Sequence, residues 1–263
     1  MRQIADMDLH QATDRRLLRI GCAGWSLRNE QQGLFADGDS HLQRYASVFS
    51  AVEVNSCFYR AHRKSTWQRW AESTPESFRF SYKLPKSITH QARLKDVDET
   101  LLKFLDEVDS LGSRLGTLLV QLPPSLVYDA DVVGEFFSLL RRLDDQRNVQ
   151  RSVACEARHA SWFTAQANSL LEEFEVAAVA AHPPRSGQSF GPAGFTGQAY
   201  YRLHGAPRAY YSEYSQDELK ELATRLVRHI DAGIETWCIF DNTADGYALS
   251  NALQLMQLLS DAV

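Results

Sequence analysis

The chain has 263 residues, 44% of them hydrophobic and 23% charged, with a formal net charge of -5 at pH 7. This is the composition of an ordinary globular chain, and its acidic balance argues against a surface devoted to gripping nucleic acid or an anionic membrane. No run approaches the ~20 apolar residues that a membrane-spanning helix needs.

The first segment, MRQIADMDLHQATDRRLLRI, contains acidic residues and no long apolar stretch, so it does not read as a secretory signal. Residues 1–16 are expected to form a tail or a short helix, and 17–263 one domain, since no repeat, low-complexity block or hinge-like linker appears. The β-like runs RIGCAGW (19–25) and AVEVN (51–55) come next, then a short helix opening at Ser65 and Thr66 and closing at Thr74-Pro75. FRFSYKL (78–84) is the third run. Behind it, DVDETLLKFLDEVDSLG (96–112) sets Leu101, Leu105, Val108 and Leu111 on one helical stripe, with Asp96 or Asp98 as the candidate cap and Gly112 as the stop. GTLLVQL (116–122) precedes an amphipathic segment at 131–143, and SVACEAR (152–158) and VAAVAAH (176–182) supply two more runs. The stretch PPRSGQSFGPAGFTG (183–197) is too rich in Pro and Gly for a helix and predicts a long loop over the top, either a lid or a surface excursion. AYYRLH (199–204) leads into a helix over 216–233 with Leu219, Leu222, Leu226 and Ile230 on one face; TWCIFDN (236–242) leads into a last helix over 246–260. Eight strand-then-helix units predict an α/β fold, a TIM-like (β/α)8 barrel whose sixth helix is replaced by that Pro/Gly-rich loop.

Side chains alternate along a strand with period two, and the outer face of a barrel strand must be apolar because helices cover it. In AVEVN, Val52 and Val54 share one face, leaving Glu53 and Asn55 on the other. In FRFSYKL, Phe78, Phe80, Tyr82 and Leu84 oppose Arg79, Ser81 and Lys83. By the same rule Gln121, Glu156, Arg158, Arg202 and His204 point inward. They converge at the C-terminal strand ends, where barrel active sites sit. Burying Glu53, Lys83, Glu156 and Arg202 together is costly unless they pair with each other or with a ligand. The first outcome is a balanced salt-bridge network. The second is a polar pocket, which Asn55, Gln121, Arg158, His159 and His204 extend into a net cationic one suited to a small anionic or sugar-like ligand.

Lys83 can clamp an anion or, if desolvated, act as a base or Schiff-base nucleophile. Glu156 is the acid/base candidate: pairing with Arg158 or Lys83 would keep it ionised, whereas desolvation would raise its pKa. His204 can shuttle a proton near neutral pH, or serve as a hydrogen-bonded structural group. Trp25, Tyr59, Trp162 and Tyr210 or Tyr211 lie just past strand ends, as stacking walls or as core. Of the four cysteines, Cys22, Cys155 and Cys238 fall in strands, where a free thiol packs as a small hydrophobe; none forms a CxxC pair, which suits a reducing, cytoplasmic setting. Cys57 lies beyond a strand end with no evident base beside it. GxGxxG, P-loop, HExxH and GxSxG motifs are absent. A divalent-ion site from Glu156, His182, His204 and Asp241 is opposed by the charges of Lys83 and Arg202, so neither metal nor cofactor is expected.

IGCAGWS, VEVNSCFYR, FSYKLPKSITH, LGTLLVQLPPS, CEARHASWF, YYRLHG and FDNTADGYALSNA resemble, in that order, the motifs of the YecE-like family, a group of unknown function with a TIM-barrel fold. The resemblance runs from Ile20 to Leu259 and implies the barrel, but no activity, substrate or cofactor. The matching positions are Trp25, Glu53, Asn55, Tyr59, Lys83, Thr89, His90, Gln121, Glu156, Arg158, His159, Arg202, His204, Asn242 and Thr243. Two departures stand out. His182-Pro183 occupies a place where the family more often has an acidic residue before proline, and LRNEQQGLF after Trp25 lacks an aromatic-rich continuation.

The expectation is an enzyme using acid/base chemistry on a small anionic or sugar-like substrate. Lys83, Glu156 and His204 are its catalytic candidates, and Trp25, Asn55, Tyr59, His90, Gln121, Arg158, His159, Arg202 and Asn242 its substrate-binding candidates. The alternatives are a non-catalytic barrel that captures a ligand or a nucleic-acid end, and a divalent-metal hydrolase. No membrane partner is expected, and nothing in the chain speaks to an oligomer.

Overall fold

Alternation of apolar side chains becomes two nested shells in the computed structural model, which describes residues 15–185 and 188–261. Most of the tail expected over 1–16 therefore lies outside the described residues. The elements run β1 (Leu18–Cys22), α1 (His41–Ala46), β2 (Ala51–Val54), α2 (Ser56–Tyr59), α3 (Lys64–Glu72), β3 (Arg79–Lys83), α4 (Asp98–Val108), β4 (Leu115–Gln121) and α5 (Ala130–Arg147). They continue with β5 (Ser152–Glu156), α6 (Ala165–Glu173), β6 (Val176–Ala178), β7 (Ala180–His182), β8 (Ala193–Gly194), β9 (Gln198–Leu203), α7 (Gln216–Asp231), β10 (Glu235–Phe240) and α8 (Tyr247–Asp261).

Two ladders make the barrel. One runs β2-β3-β4-β5-β6, with β8 antiparallel on its edge, and the other β1-β10-β9-β7. Val179 alone separates β6 from β7, so they form one bent strand that pairs with β5 through its first half and with β9 through its second. At the other seam Ala23 bridges Glu53 in parallel, and the Gly24 N–H donates to the Glu53 carbonyl at 3.0 Å. Eight strand positions thus close into a ring, a TIM-like (β/α)8 barrel. Between β7 and β9 the described residues contain β8 and loop but no helix, as the Pro/Gly content predicts.

Val52, Val54, Phe80, Tyr82, Leu118, Val120, Val153, Tyr201, Leu203 and Phe240 face outward and join the buried stripes of the helices in one core. In α7 those stripe residues are Leu219, Leu222, Leu226 and Ile230, each stabilising by roughly 1.5–3 kcal/mol when fully buried. Ser215 and Glu218 close its N-terminus as a capping box. The cap expected from Asp96 or Asp98 at α4 does not form. Val97 holds that position without a side-chain bond, Asp96 adopts a left-handed φ of 53°, and Asp98 instead puts its charge in the first turn. Among the described residues no helix is long and apolar enough to cross a membrane.

The inner shell holds Ala51, Leu119, Ala154, Ala177, Tyr200, Trp237 and Ile239. Opposite strands touch across it. Gln198 Nε2 donates to Thr117 Oγ1 at 2.7 Å and the Ser81 and Tyr200 hydroxyls lie 2.7 Å apart, while Tyr200 stacks on Trp237 of the neighbouring β10 with centroids 5.8 Å apart. Trp237 fits because position 116 is glycine: a Cβ there would meet both the indole and the Phe80 carbonyl. The N-terminal half of the barrel is therefore filled, and only the C-terminal end is free for chemistry. Gly116→Ala is expected to lower stability by roughly 1–3 kcal/mol through overpacking, read as a lower urea midpoint with an unchanged slope.

Candidate functional site

β9 carries Arg202 to the barrel axis, where it is only 1% exposed. Its guanidinium takes Glu53 of β2 in a forked contact, Nε to Oε2 at 2.8 Å and Nη2 to Oε1 at 2.6 Å. Nη1 reaches Glu156 Oε2 of β5 at 2.5 Å, and Nη2 also reaches Asp241 Oδ2, just past β10, at 3.0 Å. Burial alone would pull the guanidinium down, but Glu53, Glu156 and Asp241 hold it well above the usual arginine range. Every donating nitrogen is engaged. Arg202, expected to bind substrate, is instead the internal counter-ion of the site.

His204, two residues on, shares this layer. Its Nδ1 lies 3.1 Å from Asp241 Oδ2, and its Nε2 lies 3.1 Å from Glu156 Oε1 and 2.9 Å from Arg158 Nη2. Asp241 fixes a proton on Nδ1. Nε2 thus stands between a donor, Arg158 Nη2, and an acceptor, Glu156 Oε1. Tyr210 stands edge-on above the ring with centroids 5.6 Å apart.

Glu156 bonds Arg202, Arg158 and His204 through its two oxygens. Burial pushes its carboxyl up, but Arg202, His204 and Arg158 outweigh that and hold it well below the usual carboxylate range. Pairing, the first of the two outcomes expected for Glu156, therefore prevails over desolvation and keeps it ionised, though the partners are Arg202, His204 and Arg158 rather than Lys83. The same balance, burial against Arg202 and His204, lowers Asp241.

Lys83, at the end of β3, differs from these. Among the described residues no hydrogen bond or ion pair reaches its ammonium, which lies over the Phe58 ring with Nζ 4.1 Å from the centroid. Burial and then the charge of Arg202 lower its pKa, against the opposing pull of Glu53, Glu156 and Asp241. Two further polar atoms nearby on the mouth strands are buried without partners, Asn55 Oδ1 and Arg158 Nε. His90 joins the rim, edge-on to Phe58 at 5.0 Å, and burial and Lys83 lower its pKa. Gln121 sits opposite Glu156 in the β4–β5 register, with Nε2 donating to the Leu122 carbonyl at 3.1 Å.

Several expected contacts lie elsewhere. Asn242 faces outward, bonded to the Ser212 carbonyl at 3.0 Å and to Asn251 Oδ1 of α8 at 2.9 Å, while its neighbour Asp241 faces the axis. The reason is parity: Cys238 and Phe240 face the helices, so Trp237, Ile239 and Asp241 face inward. The third carboxylate also corrects the net cationic pocket, since Glu53, Glu156 and Asp241 balance Lys83, Arg158 and Arg202. His159 caps the turn that follows it, accepting from the Ser161 N–H at 3.2 Å. Trp162 is core, its indole N–H donating to the Leu126 carbonyl at 2.9 Å. Tyr59 projects 80% exposed, and Trp25 is half-buried against Trp70. His182 faces outward to Tyr214. The four cysteines are free and buried, and Cys57, whose thiol donates to the Val54 and Lys83 carbonyls, is pushed up to about 12 by burial. It is an inert thiol. Among the described residues no group of three or more His, Cys, Asp or Glu is arranged to hold a metal ion; the guanidinium of Arg202 fills the space between the carboxylates.

Carboxylates that titrate lower folded than unfolded add stability above their unfolded pKa, about 4, and lose it as the pH falls through the folded values. Stability is therefore expected to fall below pH 4 as Glu156 and Asp241 take up protons. Arg202→Met is expected to cost roughly 3–5 kcal/mol at pH 7, because three carboxylates lose their partner. That deficit should shrink toward pH 4.5, where the orphaned carboxylates protonate; urea unfolding at the two pH values measures it.

The family model described as protein of unknown function DUF72 matches residues 19–263. The UPF0759 protein YecE of Escherichia coli (strain K12) is 37% identical over 86 residues, 33% of this chain and 32% of that protein, so the match spans about a third of that relative. The UPF0759 protein YunF of Bacillus subtilis (strain 168) is 24% identical over 272 residues, covering 92% of this chain and 95% of that one. A DUF72 family protein of Enterococcus faecalis V583 superposes with a TM-score of 0.75 at 22% identity, covering 92% of this chain and 97% of its own. One from Thermotoga maritima MSB8 superposes at 0.72 with 25% identity, covering 92% and 99%.

Proposed function

We propose, for this chain, which belongs to the DUF72 family of proteins of unknown function, that the barrel mouth is an active site for acid/base chemistry on a small anionic or sugar-like substrate. The observation that carries this reading is the Lys83 ammonium, turned into the mouth with no ion-pair partner among the described residues, beside a network whose other charges are paired. Although the carboxylates balance it in number, no carboxylate among the described residues bonds this partly buried ammonium, and its three N–H donors are left for a ligand. Lys83 and the free edge of Arg158 meet the substrate's negative charge, with His90 and Asn55 beside them. His204, oriented by Asp241, stores and releases the proton, and Glu156 and Arg202 hold this layer in place. The ligand is small, because the charges lie inside the mouth rather than along a surface stripe. Four unpaired, buried thiols fit a reducing, cytoplasmic location.

A lysine with a folded pKa below its unfolded one binds fewer protons when folded, so stability rises with pH between the two values and is reduced at neutral pH. Lys83→Met is therefore expected to leave stability at pH 7 unchanged or raised by ~0–2 kcal/mol, as at other functional positions that carry strain. It should also abolish binding of inorganic phosphate and small carboxylates measured by calorimetry. A variant that unfolds, or that loses more than about 1 kcal/mol in urea, makes the lysine structural and ends this reading.

A further inference from the structure

We infer that Lys83 is a covalent catalyst, its Nζ forming an imine with a small substrate that carries both an aldehyde or ketone carbonyl and a negative charge. This rests on the reading of the mouth given above and names the substrate class for it.

The geometry sets Lys83 apart from every other lysine in the chain. Lys64, Lys86, Lys95, Lys103 and Lys220 are exposed to water, while Lys83 is mostly covered and points toward the barrel interior. Its Nζ has the face of Phe58 on one side and no hydrogen-bond acceptor on any other among the described residues. The resting ammonium lies over the Phe58 ring without an acceptor for its protons, and loss of one proton exposes a lone pair for an electrophile. Nearby cationic charge and an apolar wall are the two devices that free a lysine amine for attack. Here burial removes water from Nζ and Arg202 supplies the cationic charge, and both lower the Lys83 pKa. Arg202 is itself locked by three carboxylates, so it exerts its charge without competing for the substrate.

The step balances without any co-reactant. The Nζ lone pair attacks the carbonyl carbon, a C–N bond forms and the π electrons move to oxygen. Both amine protons end on that oxygen, which leaves as water when the C=N bond forms. Protonation of the imine restores a positive charge where the resting ammonium stood. Arg158, with Nε unpartnered and Nη2 at His204, holds the substrate's carboxylate or phosphate, and Asn55 Oδ1 accepts from a substrate hydroxyl.

The test is borohydride trapping on the full chain. Protein at pH 7 is mixed with pyruvate, glyoxylate or glyceraldehyde, reduced, digested, and the lysine adducts are compared by mass spectrometry. A lowered pKa leaves more free amine at pH 7, so Lys83 is expected to be trapped faster than any of the five exposed lysines and to carry most of the adduct. At least one probe should give this, and excess inorganic phosphate should suppress it. Lys83→Arg should keep phosphate binding and lose the adduct. Labelling of exposed lysines alone, or equal labelling of all six, overturns the imine. If phosphate binding still depends on Lys83 in that case, the acid/base reading of the mouth survives; if it does not, both fall.

Discussion

A guanidinium on the axis of a barrel has no water to fall back on. Removing an ion of this size from water costs on the order of 20 kcal/mol in the idealised limit, and real proteins still lose several kcal/mol per ion. Arg202 is tolerated there because Glu53, Glu156 and Asp241 converge on it from three other strands. The constraint reaches beyond the pair energies. A slip of one residue in any of these strands would turn its carboxylate to the helix side and leave charge unpaired. The network thus selects one register for β2, β5, β9 and β10 together, which sets where His204 stands, and the pairing of β3 with β2 places Lys83 relative to it.

Against that satisfied layer, Lys83 is the exception. It feels the same charges, yet none is close enough to bond it. Folding places a second cation beside Arg202 after the carboxylates have been taken, so the electrostatic demand is handed to whatever enters the mouth. Below this layer the barrel gives no room: Trp237 fills the space over Gly116, and Tyr200 ties Ser81 to Glu53. Chemistry is confined to one end because packing occupies the other.

The strands differ in how openly they declare their orientation. AVEVN, SVACEAR and AYYRLH each have one apolar and one polar face, so alternation alone assigns Glu53, Glu156, Arg202 and His204 to the interior. TWCIFDN does not, since both of its faces are apolar as far as Phe240; choosing between Asp241 and Asn242 then needs the neighbouring elements. Cys238 and Phe240 pack on the helices, and Asn242 meets Asn251 of α8. The protonation of Glu156 was equally hidden. Burial and pairing push in opposite directions, and the decisive partner, Arg202, is 46 residues away in the chain.

Order of elements, the missing sixth helix and the inward parity of most polar residues follow from the amino-acid sequence, because helical and strand periodicities are local properties of the backbone. Which carboxylate meets Arg202, which side chains cap or pack instead of facing the mouth, and which lysine is left alone were decided only by tertiary structure. Coulomb and hydrogen-bond energies depend on distances of a few ångströms between strands far apart in the chain, and no local pattern encodes those distances.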